Sequence, residues 1–344
     1  MNFSPSPNDS AVGEPLNFID IMKFLMAFCV ICAHTWGMTH YPLSDVAVFV
    51  IWSSVPFFFV TSGYFVWEKF STSGYDFNVF GRYGKKLLLM HLFWVAVYLP
   101  IDCYAMMISD RPFYYELMIY VRGLLFVGDT FVGRMLWYLY TAMITVFVVG
   151  RLIRKQVPLL LLWTIGLAFV AIGYAIIQTD FNTASPASQK LLRLFFLTFT
   201  TNRNPIFYGL CFITTGMVVN RYLSCIKAIK YNLLIGALLL MLAIVLYNNG
   251  CCYWALTSGT ALFIICKSIS LKNQPIFQIL RRIGVIIYLV HMYIVWLLHY
   301  YLPQNVSFVW YTSPCVIFLL MVAILIYYIS KHERMKWFRR FING

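Results

Sequence analysis

The sequence predicts an all-α membrane protein, a bundle of about ten transmembrane helices with both termini in the cytoplasm. Hydrophobic residues make up 61% of the 344-residue chain and charged residues 11%, against roughly 25% charged residues in soluble domains. This composition excludes an ordinary soluble enzyme, and the apolar runs approach the length of about 20 residues that a spanning helix needs. The predicted spans are 17–38, 46–67, 85–104, 134–150, 157–177, 205–221, 232–248, 252–267, 280–300 and 308–330.

The net charge of +14 is divided unevenly between the connections. With the N-terminus in the cytoplasm, the even-numbered connections and the C-terminal segment hold 19 Lys and Arg residues, and the opposite side holds six. This bias follows the positive-inside rule and predicts that both termini are cytoplasmic. The basic loops are thereby explained as topology signals and contacts for membrane lipid, so nucleic acid is not an expected partner.

The chain divides into three segments. Residues 1–15 are polar and predict a disordered cytoplasmic tail. Residues 16–330 form one transmembrane domain, and residues 331–344 form a basic cytoplasmic tail. Two apolar stretches in the long outer connections are too short to span a membrane: 117–127 predicts an interfacial helix and 191–201 a surface or re-entrant helix.

The first span carries ionisable residues that a simple anchor does not need, namely Asp20, Lys23 and His34. Burying charge in a bilayer is costly, so such residues are a functional hypothesis. Lys23 and His34 are separated by about three helical turns, which places them on one face, roughly 16 Å apart along the axis. Asp20 lies one turn before Lys23 and can pair with it. The structural alternatives are a histidine that hydrogen-bonds a neighbouring helix and a lysine that reaches the cytoplasmic interface.

His34 is the first candidate for catalysis, because imidazole titrates near neutral pH and can take a proton from an alcohol. Lys23 can stabilise developing negative charge or bind an anionic group. Cys29 and Cys32 lie near His34, but a metal site needs further ligands, so no metal is expected.

The second span contains Pro56 followed by Ser62 and Gly63. Proline frees a backbone carbonyl, which predicts a kinked or broken helix. Glycine permits close helix packing, so Ser62 can approach the first helix. Serine and glycine are also ordinary packing residues in membranes.

Three more polar or aromatic residues occur in later spans. Tyr288 and His291 share one face of the ninth span at i and i+3, where they would either complete a proton-handling cavity or form an interhelical hydrogen bond. Trp137 opens the fourth span, where aromatic residues either form the interfacial belt or stack on sugars.

Together these segments resemble the acyltransferase-3 family, the integral membrane acyltransferases that modify bacterial glycans. The first-helix pattern of that family is Ile/Leu-Asp-x-x-Arg, ten residues, then His. It matches Ile19-Asp20, Lys23 and His34, with lysine in place of arginine. The second-helix pattern, Pro-Leu-Phe-Phe-x-x-Ser-Gly-Tyr/Phe, matches residues 56–64. Further matches in family order are the basic cluster at 82–86, Leu-Trp-Tyr-Leu at 136–139 and Ile-Tyr-Leu-Val-His at 287–291.

The resemblance implies transfer of an acyl group, usually acetyl from acetyl-CoA, to a sugar hydroxyl of a cell-surface glycan or lipid-linked acceptor at the bacterial inner membrane. It gives His34 the role of general base and Lys23 that of its basic partner, with Asp20 beside it. Because lysine lacks the bidentate fork of arginine, we expect either a different donor geometry or weaker activity here. The implied substrate and acyl-CoA contacts are Arg82, Lys85, Lys86, Ser62, Trp137, Tyr288 and His291.

Several alternatives stay open at the level of sequence. They are O- or N-acylation, His34 as base or acyl carrier, and a monomer or a homo-oligomer. A transporter of a small solute such as an amino acid, and a non-catalytic component of polysaccharide export, are the competing functions. Activity that depends on a thioester would distinguish the enzyme from the transporter and from the export component.

Overall fold

The computed structural model describes residues 16–39, 42–223, 229–299, 301–303 and 306–342. These residues are 81% helical and contain no strand. The α-helices are α1 Asn17–Trp36, α2 Asp45–Trp52, α3 Ser54–Thr72, α4 Asn78–Met107, α5 Phe113–Arg122, α6 Trp137–Arg154, α7 Leu159–Gln178, α8 Pro186–Thr198, α9 Leu210–Val218, α10 Ile229–Asn248, α11 Trp254–Ser268, α12 Pro275–His299, α13 Phe308–Lys331 and α14 Arg339–Ile342.

Nine stretches of the described chain are helical, long and apolar enough to cross a membrane. They correspond to nine of the predicted spans, and the remaining one is α11. This helix has 15 residues, or about 22 Å, and packs between α3 and α10 with most of its side chains buried. The predicted bundle is therefore confirmed, with one short inner helix. The side of the membrane on which each terminus lies stays a prediction.

The second span is broken, as Pro56 indicated. Helix α2 ends at Trp52 and α3 begins at Ser54. Pro56 has no N–H to donate to the Trp52 carbonyl, and its ring crowds that carbonyl. Ser53 lies at the break, where its hydroxyl donates to the Ser258 hydroxyl of α11 at 2.9 Å.

Glycines allow two pairs of helices to approach closely. Gly63 of α3 lies against the backbone of Ile213 in α9, and Gly216 of α9 lies against the backbone of Val60. A side chain at either glycine would collide with a carbonyl group of the opposite helix. Gly284 of α12 faces the backbone of α1 in the same way. These contacts fix α3 and α12, two of the helices that surround the site.

The two short apolar stretches are helical. Residues 117–127 form the second half of α5 and a π-helical turn, Gly123–Val127. Residues 191–198 of the other stretch belong to α8, which buries Leu192 and Phe195 and exposes Leu191, Leu194 and Leu197. Both elements lie in the connections that the charge bias places on the outer side.

Two helices begin earlier than hydropathy predicts. Helix α4 starts at Asn78 rather than residue 85, so the basic cluster at 82–86 lies inside the helix rather than before it. Helix α12 starts at Pro275 rather than residue 280. Lysine and arginine are good helix formers whose long side chains reach water from a helix end, so a helix can continue past the apolar span.

The C-terminal segment packs on the bundle. The Phe341 ring stacks on Phe93 of α4 with centroids 4.2 Å apart, and the Trp94 indole donates to the Phe341 carbonyl at 2.9 Å. Residues predicted as a basic tail are thus held against α4. The tail predicted over 1–15 lies outside the described residues.

Candidate active site

His34, in the last turn of α1, lines a cavity of about 1240 Å³, here called the His34 cavity. Its walls come from the end of α1, the break between α2 and α3, the connection between α4 and α6, the residues before α9, and α12. The charged residues in its lining are Arg122, Asp129, Arg134 and Arg203. The aromatic residues in its lining are Trp36, Trp52, Tyr120, Phe131, Trp137, Tyr208 and Trp296.

The connection before α6 is held tightly over this cavity. Gly128 has a φ of +82°, a conformation that favours glycine. Asp102, buried in α4, accepts a hydrogen bond from the Val132 N–H at 2.8 Å. This bond ties the connection to α4 two residues before Arg134, so the arginine stands at a fixed place on the cavity rim.

Arg203 is positioned by a helix cap. The buried Asn204 side chain accepts hydrogen bonds from the two backbone N–H groups that follow Pro205, each at 3.0 Å. Asparagine at the cap and proline at the first helical position are favoured there, because the cap satisfies free N–H groups and proline has none to lose. Arg203 precedes this cap, and its guanidinium lies over the Trp52 ring, 4.7 Å from the centroid.

The charged groups of this cavity differ in burial: Asp129 is half-buried, whereas Arg134 and Arg203 are exposed. Burial raises the pKa of the Asp129 carboxyl to about 6, although Arg134 and Arg122 act in the opposite direction. Arg134 and Arg203 line the same cavity as His34. At neutral pH the four charged groups of the lining sum to a positive charge.

A second histidine lies beside His34. The His291 ring of α12 is 5.2 Å from the His34 ring, centroid to centroid, and is fully buried. His291 Nδ1 is 2.7 Å from the Tyr288 carbonyl oxygen, which can only accept, so the proton belongs on Nδ1. Its Nε2 has no hydrogen-bond partner among the described residues and is therefore a free acceptor.

Lys23 lines a different cavity of about 710 Å³, here called the Lys23 cavity, between α1, α3, α4, α6 and α12. Asp20 forms its ion pair with Arg281 of α12, at 3.4 Å, and not with Lys23 as the sequence suggested. The Lys23 amine instead lies over the Phe65 ring, 4.8 Å from the centroid. The cations in the lining are Lys23, Lys69, Arg82, Lys86 and Arg281.

A thin wall separates the two cavities, whose linings share no described residue. Phe59 is fully buried in this wall. Its ring lies 4.6 Å from that of Tyr138, which lines the Lys23 cavity, and 5.5 Å from that of Trp137, which lines the His34 cavity. His291 lies in the same layer, between His34 and Tyr288. One layer of side chains therefore divides the two spaces.

The predicted site residues divide between the two cavities. Those in the Lys23 cavity lining are Asp20, Lys23, Ser62, Arg82, Lys86 and Tyr288. Those in the His34 cavity lining are His34 and Trp137. His291 belongs to the wall, and Lys85 is exposed and lines neither cavity. Lys23 and His34 lie on one helix, but the wall puts them in separate compartments.

The charged residues around His34 were not among the predicted site residues. Sequence alone placed Arg122, Arg134 and Arg203 in the outer connections and gave neither them nor Asp129 a specific role in the site. The four residues come from two separate connections, and only folding brings Arg203 into one cavity with the others. The one local signal is the Asn204-Pro205 pair, a helix-start signature directly after Arg203.

The model of the acyltransferase-3 family, described as an acyltransferase domain, matches residues 16–328. The match runs from the start of α1 into the last turns of α13, and so includes both cavities and the wall. No curated protein and no solved structure matches the chain. On the strength of the family match over nearly its whole length, the chain belongs to the acyltransferase-3 family of membrane acyltransferases.

Proposed function

We propose that this protein transfers an acyl group, most often acetyl, from acyl-CoA to a hydroxyl of a cell-surface glycan sugar, with His34 as general base. One observation carries the proposal. A single helix presents Lys23 and His34 to two cavities of different chemical character, and one layer of side chains separates them.

The Lys23 cavity suits the CoA part of the donor. Five cations line it, and Asp20 is the one acidic residue among its described lining residues. Guanidinium and ammonium groups bind phosphate oxygens strongly, and CoA carries a diphosphate and a 3′-phosphate. The same cations belong to the end of the bundle that the charge bias assigns to the cytoplasm, where CoA is found.

The His34 cavity suits a sugar acceptor. Its aromatic lining offers faces on which sugar rings stack, with polar edges that reach hydroxyl groups. Its volume exceeds that of most small-molecule pockets, which range from about 300 to 1,000 Å³. A segment of a glycan would fill such a space better than a small solute.

The reaction requires one proton transfer and one exchange of bonds. His34 takes the proton from the acceptor hydroxyl as its oxygen attacks the thioester carbonyl carbon. The carbon–sulfur bond then breaks, the acyl group stays on the sugar as an ester, and the CoA sulfur leaves as a thiolate that gains a proton. His34 becomes neutral again when it releases the proton it took.

His291 serves in this proposal as a positioning residue. A free Nε2 lone pair next to His34 can accept an N–H from that ring, which would turn the other His34 nitrogen towards the acceptor. The wall that contains His291 must also open, because the thioester carbon and the hydroxyl start in different cavities.

A transporter is the second candidate, because two cavities divided by a wall also suit alternating access. Acyl transfer is favoured by the family to which the chain belongs. It also explains why one cavity is strongly cationic and the other is aromatic.

Turnover of acetyl-CoA by the purified protein in nanodiscs tests the proposal. The wild type is compared with His34→Ala and His34→Gln, with release of free CoA as the readout and acetyl-CoA binding measured separately. His332→Gln is the matched control, since His332 is exposed and lines neither cavity. We expect turnover in the wild type and control, and loss of turnover with retained binding in both His34 variants.

Two results would contradict the proposal. Equal turnover in wild type and His34→Gln would remove His34 from the chemistry. A folded wild type that neither binds nor turns over acetyl-CoA, but accumulates a solute in proteoliposomes, would favour transport.

A further inference from the structure

Three arginines line the His34 cavity, two from the connection between α4 and α6 and one from the residues before α9. Arg122 comes from the end of α5, Arg134 from the turn before α6, and Arg203 from the residue before the Asn204 cap. Among the described lining residues, Asp129 is the one acidic group. The lining therefore carries a formal charge of +2 at neutral pH.

No carboxylate lies close enough to form an ion pair with any of these three arginines in the described part of the chain. The Nε of Arg122 is buried without a described hydrogen-bond partner. Arg203 rests on Trp52, an aromatic face rather than a carboxylate. The cavity thus holds donors whose partners are absent from the protein around them.

Arg134 and Arg203 are exposed to the cavity, so an anion that enters can pair with them in place of water. Arginine is suited to this because its planar fork binds carboxylate and phosphate oxygens in pairs. The same three positions could not serve the CoA phosphates, because the wall separates them from the Lys23 cavity. The anion that they recognise must come with the ligand of the His34 cavity.

The place of the positive charge also restricts the ligand. Arg134 and Arg203 line the same cavity as His34, so an anion bound to them and the reacting hydroxyl would occupy one space. Trp137 lines the same cavity and offers an aromatic face to the ring that carries both groups. A neutral sugar would leave the arginines without an anionic partner.

We propose that the acceptor is an acidic sugar, whose carboxylate or phosphate group binds Arg122, Arg134 and Arg203 while its hydroxyl faces His34. This inference rests on the proposed function, since it names the substrate class of the same site.

Direct binding tests it without any need for turnover. Isothermal titration calorimetry at pH 7.5, with the protein in nanodiscs, compares the binding of three sugars. D-glucuronate, D-glucose 6-phosphate and D-glucose have the same ring and differ in charge. We expect at least one anionic sugar to bind about ten-fold or more tightly than glucose, as charge-assisted hydrogen bonds predict. The anionic sugar that binds more tightly shows whether the site prefers a carboxylate or a phosphate.

Variants connect the preference to the arginines. Arg203→Gln and Arg134→Gln should each reduce the preference for the anionic sugar about ten-fold or more, and Arg203→Lys should retain part of it. Arg154→Gln is the matched control, because Arg154 is exposed on α6 and lines neither cavity. Size-exclusion profiles establish that each variant is folded.

Three results would overturn the inference. They are equal binding, or no binding, of the three sugars; a preference that survives in both glutamine variants; and inorganic phosphate binding as tightly as the better sugar. If the protein prefers an anionic sugar but does not turn over acetyl-CoA, the proposed function is contradicted while the anion site is supported.

Discussion

Replacing Gly63 with alanine tests how the fold holds Ser62 at the wall. Gly63 lies where α3 crosses α9, and a β-carbon there would be 2.9 Å from the Ile213 carbonyl carbon and closer still to its oxygen. Both partners are backbone, so no side-chain rotation can relieve the collision.

The size of the effect follows from this geometry. Carbon atoms in contact lie about 3.5–4.0 Å apart, so α3 and α9 would have to separate by roughly 1 Å. Overpacking of this kind costs about 1–3 kcal/mol. The Ser62 hydroxyl is 2.8 Å from the Tyr138 hydroxyl, and a shift of that size would stretch the pair past a normal hydrogen-bond distance.

Thermal unfolding in detergent, followed as the fraction of monomer left after heating, measures the change in stability. Gly81→Ala is the control, because Gly81 is an exposed residue of α4 with nothing within 4 Å of the place that an added methyl group would take. Alanine should stabilise α4 there by about 0.5–1 kcal/mol. The same substitution is therefore expected to have opposite signs at the two glycines. Equal transition temperatures for both variants would refute the crossing geometry.

Three further predictions concern the cavities. Asp129→Asn should strengthen D-glucuronate binding at pH 7.5, because the ionised carboxylate offsets the arginine charge. Wild-type binding should strengthen as pH falls through about 6, the raised pKa of Asp129, and the variant should lose most of this dependence. Titrations between pH 5 and pH 8 check this, and a flat wild-type profile would contradict it. Asn204→Ala should lower the free energy of unfolding by about 0.5–2 kcal/mol and weaken D-glucuronate binding, because the cap holds Arg203 in place. If neither quantity changes, the Asn204 cap neither stabilises the fold nor holds Arg203 in place. Arg281→Gln should raise the KM for acetyl-CoA several-fold with a smaller effect on kcat, because Arg281 lines the Lys23 cavity. Arg282→Gln, which lies outside that lining, is its control, and equal KM values for the two variants would argue against a donor site there.

The helices could be predicted from sequence because each spanning segment is an apolar run of readable length. Helix α1 was expected over 17–38 and is found at Asn17–Trp36. The starts of α4 and α12 were missed because hydropathy reports the part of a helix that lies in lipid, and basic residues such as Arg82 can extend the helix beyond it.

The site could be predicted only in part. Asp20, Lys23 and His34 stood out because they share one helix, where spacing alone defines a face. Spacing could not reveal that a wall divides them, since Phe59 reaches that layer from α3 by tertiary packing. The pairing of Asp20 with Arg281 and the gathering of arginines near His34 also depend on contacts between distant segments.

The wall has an electrical consequence. Both cavities are lined by charged side chains and are roomy enough for water, so the membrane voltage falls mainly across the thin layer that contains Phe59 and His291. In the proposed reaction the acyl group leaves the CoA sulfur without the electron pair of the carbon–sulfur bond, so its transfer formally carries one positive charge outward across the wall. If the proton that the hydroxyl loses passes inward to the sulfur, the two transfers cancel and the voltage has no effect on turnover. If that proton is instead released outside and the sulfur takes one from the cytoplasm, each turnover moves one positive charge outward, which an inside-negative membrane opposes by about 2.3 kcal/mol per 100 mV. The dependence of turnover on voltage would therefore report whether the proton crosses the wall.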